Sequence, residues 1–558
     1  MKLRKTAALF MAAAMSVSLL AGCGGNSANS SNSGKTSSEA VGESSTGSGG
    51  SGTQTSEPSG NAGDPIQKDV VNVGVETDPS DLSPFGPQTT GRTAVINNMY
   101  ESLGHMIDGE FVGVLAKSYE LSEDEKTLTF YLYENIHDQA GNPFTASDVV
   151  FSFNTKVDAG NFANVDFVES VEAVDDYTVQ FNLDPPLTST NIATLVQETY
   201  CVTQAAYEAS SDGMVTDGIV STSHYKVADY QSGYLLTLEK YKDYWQTDAA
   251  LIHERNQANA DTINFYVMAE SNQRTIALEN GTIDMCWSIP STDLYKFEEG
   301  GEQSANYWTS SQSDNLSTVL LFNHSDGHET SDVNLRKAIG YAINSEMIVQ
   351  SVYGGYAEAN YDISRSASAG FNEAWKTQDN FQQYDAEKSA DYLAQSGYSG
   401  NALSLLCNSD SASTNAATLI QGFLAAVGIN VEINSVDSAT INTYLADDSQ
   451  WDLALTQTAA EIYVTQSWLK HLDYNATGTG KTLSFLKDDT LEELVLNAAY
   501  ISTSTQEKID ACHDYVTENA IILGLANPHL SYVVNKDCQS LCFGYKHEIL
   551  PGACVYTK

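Results

Sequence analysis

Positive charge is scarce in this 558-residue chain: 27 Lys and Arg stand against 72 Asp and Glu, a formal net charge of −45. A general nucleic-acid binder needs clustered cations to neutralise phosphates, so that class is excluded. The acid excess suits solubility at an exposed surface, with a preference for cationic ligands as a second reading. Also missing, after residue 20, is any apolar stretch of membrane-spanning length. There is no Gly-x-Ser-x-Gly elbow, no His-Glu-x-x-His pair and no phosphate-binding loop. Acid pairs such as Asp175-Asp176 and Asp447-Asp448 sit beside turn or strand signals and read as solvated. The compact His/acid cluster, His324 to Glu329, contains an Asp326-Gly327 turn signal that separates its histidines, so no metal site is assigned. The sequence therefore points to no catalytic residue, no metal and no cofactor.

What is present begins at the first residues. Lys2, Arg4 and Lys5 precede an apolar run from Ala7 to Leu20, followed by Leu20-Ala21-Gly22-Cys23. The run fits the ~7–15 residues of a signal core and is too short to cross a bilayer of ~30 Å. A small-residue cleavage site ending in Cys resembles the lipobox of bacterial lipoproteins, where the Cys thiol receives a diacylglycerol and becomes the new N-terminus. Residues 1–22 are thus expected to be a signal peptide, with Cys23 the lipidated first residue of the mature chain. Residues 23–68 are Ser, Gly, Asn and Thr with scattered Glu. They cannot bury enough surface to offset their ordering entropy, and are read as a flexible tether with a reach of roughly 35–40 Å. The literal dinucleotide-type glycine pattern at Gly47 to Gly52 has neither a strand before it nor a helix after it and is discarded.

Past the tether the composition is that of a globular core, 42% hydrophobic. Alternation predicts strands at Val70 to Glu76, Thr127 to Tyr133, Thr178 to Leu183, Tyr234 to Glu239 and Thr262 to Met268. Helical spacing predicts Thr93 to Leu103 and Gln273 to Glu279. Thr145 and Asp148 read as a capping box opening a helix that buries Val149, Val150 and Phe153. Asp332 and Asp385 read as further N-caps, and Ala416 to Val427 as a helix closed by Gly428 with the strand Ile429 to Ile433 after it. Helix–strand alternation of this kind belongs to an α/β fold. Seven cysteines remain beyond Cys23, an odd number that cannot all pair internally. Cys538, Cys542 and Cys554 are the group expected to hold a bridge if one forms.

These elements resemble the family 5 extracellular solute-binding proteins, receptors of ABC importers for oligopeptides, dipeptides, nickel and some oligosaccharides. The resemblance rests on Asn98-Met99-Tyr100-Glu101-Ser102-Leu103, Leu115-Ala116-Lys117-Ser118-Tyr119 and Pro143 to Ser152. It also rests on Gly281-Thr282-Ile283-Asp284, Asn334 to Ile339 and Tyr384 to Lys388. Most of these blocks are structural: Asp148 reads as a helix-capping partner and Arg336 as a cation on a helix face. The resemblance implies a type II periplasmic-binding-protein-like flytrap, with two ligand-closing lobes and an additional third lobe. Lobe I is expected from residues 69–100, 192–311 and 523–558, lobe II from 101–191, and lobe III from 312–522. The hinge would lie where the chain crosses near Ser311 and Ile522.

The ligand region departs from peptide-binding relatives. A gapless match puts Glu461 where they place an Asp that holds the ligand's α-amino group; a solvated loop acid is the other reading. Leu455 and Thr458 stand where Arg and Trp occur, Ser438 where an aromatic is common, and Ser223-His224-Tyr225 where the family has Gly-Pro-Tyr. Gln88, Thr89 and Thr90 fall in the stretch that lends backbone groups to a peptide ligand. Trp287 is placed either to stack on a ligand or to pack in the core. The implied protein is a monomeric receptor on the extracellular face of a bacterial, Gram-positive cell membrane, held by its N-terminal lipid. It captures a peptide or other small-molecule ligand and delivers it to ABC permease subunits. The alternatives are an oligosaccharide receptor of the same family and a surface signalling or adhesion receptor on the same fold.

Overall fold

The computed structural model describes residues 64–87, 89–107, 109–162, 165–473 and 486–558. The expected leader, the expected lipidation site Cys23, the expected tether up to residue 63 and Gln88 lie outside the described residues.

Alternating valines put Lys68–Val75 at the centre of a large mixed sheet. It pairs in parallel with Ala260–Val267, with Val71 opposite Ile263 and Val73 opposite Phe265. Leu235–Lys240 and Tyr225–Gln231 extend that edge antiparallel. A second set of strands is built on Leu316–Phe322, which pairs antiparallel with Leu453–Ala459 and sets Leu320 against Leu455. Leu403–Asn408 and Val431–Val436 follow in parallel, joined by the helix Ser411–Ala426. One strand belongs to both sets. Ile522–Asn535 pairs with Leu316–Phe322 through its first residues and with Tyr307–Ser313 and Met285–Trp287 through its last. Pro528, which has no N–H to donate, lies where the neighbours change.

A separate four-stranded antiparallel sheet runs Ala116–Leu121, Thr127–Leu132, Thr178–Leu183, Val168–Asp175. Leu128, Phe130 and Leu132 alternate inward and are fully buried against the helix Ala146–Asp158. That helix opens as expected: the Thr145 amide donates to Asp148 Oδ2 at 2.8 Å, and Asp148 Oδ1 also receives the Gln204 amide at 2.8 Å.

Three expectations need correction. The helix at Thr90–Ile96 stops well short of Leu103, because the chain turns at Asn97 to Met99 and Glu101 bridges to Cys201; Met99 and Leu103 are buried without being helical. The strand after Gly428 begins at Val431 rather than Ile429. Arg336, read as a cation on a helix face, lies on the inward face of its helix. It is 6% exposed and donates to the carbonyls of Thr330, Ser331, Asn519 and Ala520 at 2.8–2.9 Å. Burial pushes its pKa down to about 10. Among the described residues all seven cysteines are free thiols; Cys542 and Cys554 are neighbours, with the Cys542 amide 3.4 Å from Cys554 Sγ, but form no bridge.

Candidate ligand-binding site

A cavity of about 200 Å³ is lined by three segments far apart in sequence together with Asn315. The first is the helix Ser189–Glu198, whose start is fixed by a Thr188–Asn191 capping box. It buries Ile192, Leu195 and Val196 in the core and turns Thr190, Ala193, Thr194 and Gln197 to the cavity, the two faces that helical periodicity requires. The second is the loop after Leu453–Ala459. Its backbone is held by Ala460 N–H to Asn315 O (2.9 Å), Glu461 N–H to Ser467 Oγ (2.9 Å) and Ser368 Oγ to Glu461 O (2.6 Å). The third is the turn at Tyr545 and Lys546, where the Lys546 amide donates to the buried Glu548 carboxylate at 3.1 Å.

Two ion pairs lie at this cavity. Glu461 accepts from Lys470 Nζ at 3.0 Å, with the carboxylate side chain a quarter exposed. Lys546 Nζ stands 3.2 Å from Glu198 Oε1. Behind Glu198, Lys156 is 1% exposed, donates to the Glu198 carbonyl at 2.5 Å and rests 4.0 Å above the Phe162 ring. Burial pushes its pKa down to about 7, with Glu198 opposing. Burial has the opposite sign for the Tyr545 phenol, whose pKa it pushes up, and the Tyr545 hydroxyl approaches Tyr200 Oη at 3.4 Å.

Gln197 and Tyr545 also line a small void of about 30 Å³, and a second void of about 30 Å³ shares Asn97, Tyr100, Glu101, Arg255 and Asn256 with it. Glu101 accepts from Tyr244 Oη (2.5 Å) and Trp245 Nε1 (3.0 Å), yet burial pushes it up to about 7. His224 stacks on Tyr244 at 3.4 Å, and neither of its ring nitrogens has a partner; burial pushes it down to about 3.

Of the sequence-selected site residues, Glu461 lines the cavity. Thr89 is an exposed N-cap that accepts from the Arg92 amide at 3.4 Å, and Thr90 follows as the first helical residue. Trp287 is half-buried and packs against the core that contains Val73 and Tyr532. Ser438 is exposed at the start of the helix Ser438–Leu445 and accepts from Asn408 Nδ2 at 2.8 Å. Leu455 and Thr458 are buried strand residues. His324 and His328 are engaged separately, with Ile521 O at 3.0 Å and Asp452 Oδ1 at 2.8 Å. Glu198, Lys546 and Tyr545 were not singled out from the sequence. Nothing local marks them, and only the fold brings them to Glu461.

The family model for bacterial extracellular solute-binding proteins, family 5, middle region, matches residues 110–480. The chain belongs to that family. This family 5 protein is 25% identical over 380 residues to the glutathione-binding protein GsiB of Shigella boydii serotype 4 (strain Sb227), covering 66% of this chain and 70% of that one. In three dimensions it is similar to the ABC transporter substrate-binding protein CtaP of Listeria monocytogenes: TM-score 0.73, 20% identity, 88% of this chain and all of the other. It is also similar to the ABC transporter-associated periplasmic binding protein DppA of Helicobacter pylori in complex with peptide STSA: TM-score 0.65, 20% identity, 88% and 99% covered. The fold is therefore the type II periplasmic-binding-protein-like α/β flytrap expected from the sequence. Family 5 proteins are solute-binding components that work with ABC permeases on the outward-facing side of the membrane, and this chain is one of them.

Proposed function

We propose that this family 5 protein is a lipid-anchored peptide receptor of an ABC importer, and that its peptide lies in the cavity beside Glu461. The observation that carries this reading is the Glu461 carboxylate at the cavity wall, on a loop whose backbone is tied at three points. A ligand ammonium that displaces Lys470 gains a charge-assisted hydrogen bond in a partly desolvated place. GsiB, whose name gives a tripeptide ligand, and the peptide complex of DppA support the ligand class. In this reading the lobes are residues 69–100, 192–311 and 523–558, residues 101–191, and residues 312–522, with the hinge at the crossings near Ser311 and Ile522. The receptor acts as a monomer and performs no chemistry on what it carries.

Glu461→Gln keeps size and hydrogen bonding but removes the charge. Because Glu461 is partly exposed and already paired, the expected loss is ~1–3 kcal/mol for free-amine peptides, below that of a fully desolvated pair. N-acetylated peptides should be little affected. Calorimetry on both peptide types reads this out, and an unchanged affinity for the free amine would make Glu461 an ordinary loop acid. Mass spectrometry of ligand released from purified protein tests the class itself; an oligosaccharide there would replace the peptide reading. For the anchor, Cys23→Ala should abolish palmitate labelling and release the protein from membranes, since each buried lipid methylene contributes ~0.8 kcal/mol. Equal labelling of both proteins would remove the lipid from this account.

A further inference from the structure

We infer that the turn at Tyr500 and Ile501 clasps lobe III to lobe II, so that ligand enters and leaves only when this contact opens. The inference rests on the lobe reading above and adds to it a contact that the ligand does not make. The turn joins the helices Asp489–Ala499 and Gln506–Glu518. The Ile501 amide donates to the Leu187 carbonyl at 2.7 Å, and Tyr500 faces Thr188 in an antiparallel bridge. The Ile501 side chain, half-buried, packs against the core that contains Leu128, Phe130 and Leu187. Among the described residues it is the only apolar side chain from 312–522 in that core.

Each half of the clasp is held from its own side. The Thr503 and Ser504 amides donate to the Tyr500 carbonyl at 3.0 and 2.7 Å, and Thr503 Oγ1 donates to the Asn497 carbonyl at 2.8 Å. Opposite, the Leu187 amide donates to Glu125 Oε2 at 3.3 Å, and Thr188 is the N-cap of the helix Ser189–Glu198. Thr190, two residues on, already lines the ligand cavity, as Glu461, Ile462 and Tyr463 of lobe III do. The clasp thus stands beside the cavity and ties together the two parts of the chain that wall it. Its size suits a part that opens. One backbone hydrogen bond and one half-buried apolar side chain hold far less than a domain core, and the freed amide and carbonyl regain water when the lobes separate. Closure then has a contribution from the protein itself, and ligand exchange requires Ile501 to leave the lobe II core.

The test combines amide exchange with a chemical lock, both on the full mature protein. Without added ligand, the residue 501 amide should be protected about 10-fold more in wild type than in Ile501→Ser, which keeps the backbone donor. The amides of Gln506–Glu518 should exchange alike in both, which reports intact folding. Small-angle scattering should give Ile501→Ser the larger radius of gyration. Thr188→Cys with Tyr500→Cys places two thiols on opposed residues of the bridge. Cross-linked with diamide, that protein should take up tri-alanine about 10-fold more slowly than after reduction with dithiothreitol. Each single cysteine variant treated the same way controls for the native thiols. An Ile501→Ser protein with unchanged protection and radius overturns the clasp. So does a pair of thiols that fails to cross-link, or a cross-linked protein that takes up tri-alanine as fast as the reduced one. If wild type binds no tri-alanine, the peptide reading fails on its own, and exchange, scattering and cross-linking still decide the clasp.

Discussion

Acidification from pH 7 to pH 4 should unfold this protein, and histidines should drive the transition. His105, His324 and His547 are pushed down to about 4 and His224 to about 3, in each case first by burial. In the unfolded chain an imidazole takes up its proton near pH 6.5. Between 6.5 and 4 the unfolded state therefore binds more protons than the folded one, and stability falls as pH falls. Each group contributes ~3 kcal/mol at 1.36 kcal/mol per unit, and the four together are on the order of 10 kcal/mol. That is comparable to the whole ~5–15 kcal/mol of a typical domain. Glu101 acts in the opposite direction. Its folded value of about 7 lies above the ordinary carboxylate range, so the folded state holds a proton that the unfolded state has lost. Its contribution rises by ~3 kcal/mol as pH falls from 7 to 4.5, which offsets one histidine and not four. Circular dichroism melts at pH 7, 6, 5 and 4 decide the matter; a midpoint that holds steady from 7 to 4.5 would sink it.

Arg336→Met should be the most damaging single substitution outside the apolar core. It removes four hydrogen bonds from one guanidinium, which ties the helix Val333–Ala342 to Asn519 and Ala520 just before the shared strand. Hydrogen bonds to charged groups contribute ~1.5–3 kcal/mol each, but some of the freed carbonyls gain water. The expected loss is ~3–5 kcal/mol by urea unfolding. Lys in its place should recover only part, since an ammonium cannot span four carbonyls in a fork. A loss below ~1 kcal/mol would mean that the surrounding helices hold this junction without it.

The sequence-based reading succeeds where the controlling physics is local. Alternation at Thr127 to Leu132 gave the strand, and Thr145 with Asp148 gave the cap, because both depend on neighbours a few residues away. It fails where a distant partner decides. Periodicity alone carries a helix to Leu103, but pairing of Glu101 with Cys201 ends it. Arg336 looks like any basic residue on an amphipathic helix until the carbonyls of Asn519 and Ala520 arrive beneath it. The candidate site was half legible. Glu461 stands out by alignment to relatives, whereas Glu198 and Lys546 are an ordinary acid and base that meet only across the folded chain. Ser438 illustrates the reverse, an aligned position that here is the exposed first residue of a surface helix capped by Asp437.

The shared strand has a consequence for how the molecule is made. Residues 522–535 complete both sets of strands from a distant part of the chain, far beyond Met285–Trp287, Tyr307–Ser313 and Leu316–Phe322 in sequence. Until they join, Met285–Trp287 and Tyr307–Ser313 lack the neighbour that completes their ladders, and Leu316–Phe322 has one open edge. Closure then requires contacts of very large sequence separation, which are slow to form. A chain of this design completes neither set of strands until residues 522–535 join both, so the two sets finish folding together.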